Sequence, residues 1–143
     1  MKNRVLEELK NADVQGFAQR ATEKIPELAP LLDEIQKRKP YPLTMDLYTF
    51  WENGIMECMD VWMENEAENR ELLCKGFRFV EELCTESELT HMLMFSSTIL
   101  KLKRNPNFSK ELYSLLGSET KKLWAEHDEM VRQFQLWKLS KTE

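Results

Sequence analysis

A chain of 143 residues, 42% hydrophobic and 31% charged, fits one domain and can bury about two-thirds of its unfolded surface, which excludes a disordered composition. The net charge of −5 is uneven: residues 44–91 hold twelve acidic against three basic side chains, and the rest holds thirteen against seventeen. That balance argues against nucleic acid as the main partner, because phosphates are met by Lys and Arg, and it suits a basic protein partner.

With four Gly, five Pro and an excess of Leu, Glu, Lys and Met, the composition favours helices over strands. The amino terminus, MKNRVLEELKNADVQGF, lacks the apolar run of a signal peptide, and no stretch nears the roughly 18 apolar residues of a membrane span. A cytoplasmic, bacterial-type protein with no membrane contact is the expectation. Cys58, Cys74 and Cys84 form no C-x-x-C pair and read as free thiols of a reducing compartment.

The first 43 residues read as two or three short helices. Val5, Leu6 and Leu9 share one face, and Val14, Phe17, Ala18 and Ala21 share another. Pro26 opens a segment with Leu28, Leu31, Leu32 and Ile35, in which Pro30 lies in the first turn or restarts the helix. The run Lys37-Arg38-Lys39-Pro40-Tyr41-Pro42 is a linker, because two prolines forbid a continuous helix.

The main array, 44–143, begins with Thr44 as a cap and Asp46 in the first turn. Leu47, Trp51, Ile55, Met59 and Trp62 form a buried stripe, widened by Tyr48, Phe50, Cys58 and Met63. The polar run 64–71 is a break, after which Asn65 and Glu68 cap a helix carrying Leu72, Leu73, Phe77, Val80, Leu83 and Cys84. Gly76 inside it costs about 1 kcal/mol relative to Ala, which close approach of another helix would justify.

Thr85 and Glu88 form a capping box, with Cys84 and Leu89 as its hydrophobic staple. The helix that follows carries Leu89, Met92, Leu93, Ile99 and Leu100 and ends near Arg104, before Asn105-Pro106-Asn107. A short helix from Ser109 to Leu116 stops at Gly117, and Ser118 caps the last one. There Leu123, His127, Met130, Phe134 and Trp137 recur at four, three, four and three. The tail 134–139 is apolar on more than one face. It reads either as a fully buried terminal helix or as one that enters a groove or joins a homodimer. Trp124, Phe50 and Phe95 sit off the main stripes and would mark a contact patch if exposed.

Nothing amounts to a catalytic signature. Glu57-x-x-Asp60 and Glu68-x-x-Glu71 place carboxylates three apart on one helix face, where they can share Mg²⁺. Helical nucleotide pyrophosphatases pair such motifs, but the order here is reversed and no lysine-and-asparagine phosphate pattern follows. With twelve acids in the region, these spacings are also those of a solvated face. His91 and His127 lack an H-E-x-x-H or E-x-x-H context, so His91 reads as a surface residue and His127 as a hydrogen-bonded boundary residue. Cys58 and Cys84 lie on apolar faces, where a thiol is inert. No cofactor and no resident metal are expected. The basic runs 37–39 and 101–104 fall at helix carboxyl ends, where cations are favoured anyway.

The stretches Leu47-Tyr48-Thr49-Phe50-Trp51-Glu52 through Glu68-Asn69-Arg70-Glu71-Leu72-Leu73, and Leu115-Leu116-Gly117-Ser118-Glu119-Thr120-Lys121-Lys122-Leu123-Trp124, carry a resemblance. Over residues 44–125 the chain looks like a family of small, uncharacterised all-helical bacterial proteins, some of them held to be immunity proteins for polymorphic toxins. The pattern is an acidic helical pair, a further helix, then a leucine-glycine turn before a Trp-bearing helix. That family offers no agreed catalytic residues to carry over, and the first 43 residues lie outside the resemblance.

The expectation is an all-α single domain of six or seven antiparallel helices. Its expected function is non-catalytic protein binding, as an interaction module or immunity-type inhibitor. Glu57, Asp60, Glu64, Glu66, Glu68 and Glu71 would form the acidic face that meets a basic partner. The alternative is a Mg²⁺-dependent nucleotide hydrolase using the same carboxylates.

Overall fold

The computed structural model describes residues 7, 8 and 12–141, so the predicted Val5–Leu6–Leu9 face lies outside the described residues. Among the described residues there are seven helices and no strand. They are α1 (Val14–Lys24), α2 (Leu28–Lys37), α3 (residues 47–64), α4 (Arg70–Glu86), α5 (residues 88–104), α6 (Lys110–Ser114) and α7 (Ser118–Lys141). A 3₁₀ turn, Leu43–Met45, leads into α3.

One core runs through all of them, from Ala21 on α1 to Leu123 on α7. The short amino-terminal helices therefore share the core of the main array. Helix α4 is the hub, with α1, α3, α5 and α7 packed around it. The close approach expected at Gly76 is present: a methyl group there would stand 3.0 Å from the Met59 Cε of α3. The predicted stripe of α3 is buried, with Trp51 and Met59 fully enclosed, except for Tyr48, which is exposed. Pro30 lies in the first turn of α2, where its missing N–H costs nothing.

Several start signals fall on neighbours of the predicted residues. Asp46, not Thr44, caps α3: its carboxylate accepts the Thr49 amide at 2.6 Å from extended backbone (φ −157°, ψ 166°), while Thr44 is spent in the 3₁₀ turn. Helix α4 begins after Asn69, and Asn65 instead closes α3, so no Asn65–Glu68 box forms. Thr85 stays helical inside α4, and the capping box is Ser87 with Thr90. Ser87 adopts the extended backbone a cap needs. Its hydroxyl accepts the Thr90 amide at 3.1 Å, and Thr90 Oγ1 accepts the Ser87 amide at 3.0 Å.

Gly117 is not a left-handed cap, because no described glycine has a positive φ. A side chain there would instead collide with the Glu81 carboxyl. That carboxyl, rather than Ser118, caps α7. It accepts the amides of Glu119 and Thr120, each at 2.9 Å, and the Thr120 hydroxyl at 2.7 Å.

The aromatics set off the stripes are not an exposed patch. Phe50 is buried, Trp124 stacks on Phe108 at 5.4 Å, and Phe95 meets His127 edge-on. The exposed apolar surface lies elsewhere. Leu123 and His127 of α7 are buried, but every residue from 128 to 141 is exposed. The terminal helix is thus half core element and half projecting arm, which rules out a fully buried tail.

Candidate functional site

Both long inner helices break their hydrogen-bond ladder in the middle. Trp51–Ile55 of α3 and Met94–Thr98 of α5 are π-helical turns, in which each amide reaches one residue further back than in an α-helix. Such turns insert a residue and are frequent at functional sites. Here the two face each other. Trp51 Nε1 donates to Thr98 Oγ1 at 2.8 Å, and Ser97 Oγ donates to Glu52 Oε2 at 3.1 Å.

Above this junction lies a groove of about 540 Å³. Glu52, Asp60 and Glu64 of α3 line it on one side, and Lys101 and Arg104 of α5 on the other. Tyr48 closes one end, and the Asn105-Pro106-Asn107 turn the other. Its charge is mixed, with acids prevailing. Glu52 also takes a hydrogen bond from the Tyr48 hydroxyl, which pushes the Tyr48 pKa up to about 12, with burial adding to the shift.

Asp60 is half-buried and accepts a hydrogen bond from Asn105 Nδ2 at 2.9 Å. Burial raises its pKa above the usual value, against the lowering pull of Asn105 and Lys101. Neighbouring Glu57 and Glu64 push in the same direction as burial. A carboxylate in that position gains more than a solvated one from an arriving cation.

The six predicted partner-binding acids do not share one surface. Asp60 and Glu64 belong to this groove. Glu57 is paired with Lys39 at 2.7 Å, and Glu66 accepts from Ser109 Oγ at 3.3 Å. Glu68 and Glu71 line a second, smaller depression with Glu27, Arg70 and Lys75. Glu64, Glu68 and Glu71 make no ion pair with a described residue. Among the described residues no group of three or more His, Cys, Asp and Glu converges as a metal ion requires.

No protein-family model, curated relative or solved structure shows a significant match to the chain. The site therefore rests on its own geometry.

The buried reactive side chains are held by the core. Cys58 is fully buried, and desolvation pushes its thiol up to about 12, with nearby Glu57 acting the same way. Cys84 is buried too, and its thiol is raised by desolvation. His127 accepts from Lys103 Nζ at 2.7 Å through Nδ1, which assigns the proton of the neutral ring to Nε2. Burial, then the Lys103 charge, holds its pKa below the ordinary value. No described helix is long and apolar enough to cross a membrane.

Glu52, Ser97, Lys101 and Arg104 escaped the sequence reading as a site. The signal was in the spacing. Leu47, Trp51, Ile55 and Met59 recur at four, four and four, and so do the buried Thr90, Met94, Thr98 and Leu102. In an α-helix each step of four advances about 40° around the axis, so three steps leave the stripe. A wider turn in the middle brings it back.

Proposed function

We propose that the protein is a non-catalytic interaction module that takes a basic segment of a partner protein into the groove between α3 and α5. The observation that carries this reading is the acidic wall of Glu52, Asp60 and Glu64, with Asp60 held partly away from water. A Lys or Arg entering there replaces lost solvation with a charge-assisted hydrogen bond. Lys101 and Arg104 opposite would fix the orientation of the bound segment through its carbonyls or acids.

Glu57, Glu66, Glu68 and Glu71 lie outside the groove and would act at longer range, raising the encounter rate with a cationic surface. An immunity-type inhibitor, the class the family resemblance implies, would work in this way by occupying the basic active face of a toxin.

The test uses the full chain as bait in extract of the native host. Proteins held by the wild type at low salt should be released at high salt, and Asp60→Asn with Glu64→Gln should fail to capture them. Capture that ignores ionic strength, or that survives both substitutions, would overturn the assignment.

A further inference from the structure

The apolar seam of α7 does not stop where the body stops. Thr120, Leu123, His127, Met130, Phe134, Trp137 and Lys141 follow one another at alternating steps of three and four, the repeat of a helix that packs along its length against another helix. The first three are buried against the body, at 0, 3 and 5% exposure. Met130, Phe134 and Trp137 are 49, 54 and 54% exposed, and Val131 at the seam's edge is 38% exposed. One continuous seam is thus half filled.

The open half covers the 14 residues 128–141. Most helical stability comes from packing of an apolar face, so a partner along this seam would stabilise the arm. The charges along it say which partner. Glu126, Asp128 and Glu129 stand at the body end and Lys138 and Lys141 at the free end. A second arm laid antiparallel, crossing near Phe134, brings the lysines of each copy to the acids of the other. A parallel arrangement sets like charges side by side. Asp128 already meets Lys103 and Glu129 meets Arg132, whereas Glu126 makes no ion pair among the described residues.

The aromatic pair is ready for such a contact. Phe134 and Trp137 stack at 5.8 Å, with Lys138 and Lys141 each 5.3 Å over one of the rings. The two rings thus form one aromatic pair with a lysine ammonium over each.

We infer that two copies of this chain associate through antiparallel pairing of the α7 arms, with Met130, Phe134 and Trp137 as the shared seam. A single two-heptad helix pair buries less than the roughly 1,200 Å² of standard stable interfaces, so the association is weak and reversible. It is independent of the groove between α3 and α5, which both copies leave open.

Sedimentation equilibrium of the full chain, from about 1 to 200 µM, reads the pairing directly. The expected result is a monomer–dimer equilibrium that Phe134→Glu with Trp137→Glu weakens at least about tenfold. The midpoint of unfolding at low protein concentration should stay unchanged, because neither side chain belongs to the core of one copy. Direction is read by charge exchange. Lys138→Glu with Lys141→Glu should weaken the dimer, and adding Glu126→Lys with Glu129→Lys in the same chain should restore it. A chain that is monomeric throughout the range overturns the inference, as does a dimer indifferent to the Phe134 and Trp137 changes. A charge-exchanged chain that does not recover overturns the antiparallel arrangement.

Discussion

Glu81 reaches from the middle of α4 to accept both the amide and the hydroxyl of Thr120, the first buried residue of α7. Capping is ordinarily a local matter, settled within three residues. Here the cap comes from another helix, so the start of α7 forms only when the two helices dock. Replacing Glu81 by Ala removes this acceptor and a negative charge at the positive helix end, and is expected to cost about 1–2 kcal/mol in urea unfolding. A cost within a few tenths would mean that Ser118 caps α7 unaided.

The same carboxylate gives a pH dependence. Burial alone would raise the Glu81 pKa, but the Glu119 and Thr120 amides and the Thr120 hydroxyl outweigh it and leave it below the ordinary glutamate value. Its contribution to stability is therefore full above that value and fades as pH falls through the lower folded pKa. Acid unfolding of Glu81→Gln should lack this component as pH falls through and below the ordinary glutamate range.

Gly117→Ala follows from the same contact. A methyl group there collides with the Glu81 carboxyl, which can yield only by breaking its three hydrogen bonds. A loss comparable to Glu81→Ala is expected, and the double variant should be little worse than either single one, since both remove one interaction. Additive losses would show that the two residues act separately.

Trp51 and Thr98 tie the two π-turns together inside the core. Thr98→Val keeps the volume but strands the indole N–H where no water reaches it. The expected cost is about 1–3 kcal/mol by denaturant unfolding, together with a change in the Trp51 fluorescence.

Thiol accessibility should separate the three cysteines. In the folded protein a thiol reagent should modify Cys74, which is only partly covered, and leave Cys58 and Cys84 untouched. Unfolding should release both. Rapid native modification of Cys58 would contradict its burial.

Much of the architecture could be read from the chain. The apolar periodicities located every helix from α1 to α7, because burial against a single core imposes the same 3.6-residue rhythm whatever the neighbour is. Caps slipped by two to four residues: Ser, Thr, Asn and Asp crowd the junctions, and backbone extension, not residue type, decides between Thr85 and Ser87. Glu81 could not be found locally, since its partners lie on another helix. The stripe through Met130 and Phe134 continued without a break in the sequence, which carries no record of where the body beneath it ends.

Of the six acids named from the sequence, two reached the groove. Charge density marked the right region, but which carboxylates face Lys101 and Arg104 depends on how α3 lies across α5.

The two inserted turns make the groove a matter of single residues. Each adds one position to an otherwise regular rod, so removing one amino acid from 51–55 and one from 94–98 would leave both rods straight, with their apolar sides still in phase at either end. Such a shortened chain should lose the outward step that sets Glu52 against Ser97. Two positions, one in each rod, would then separate a chain that possesses this recess from one that lacks it.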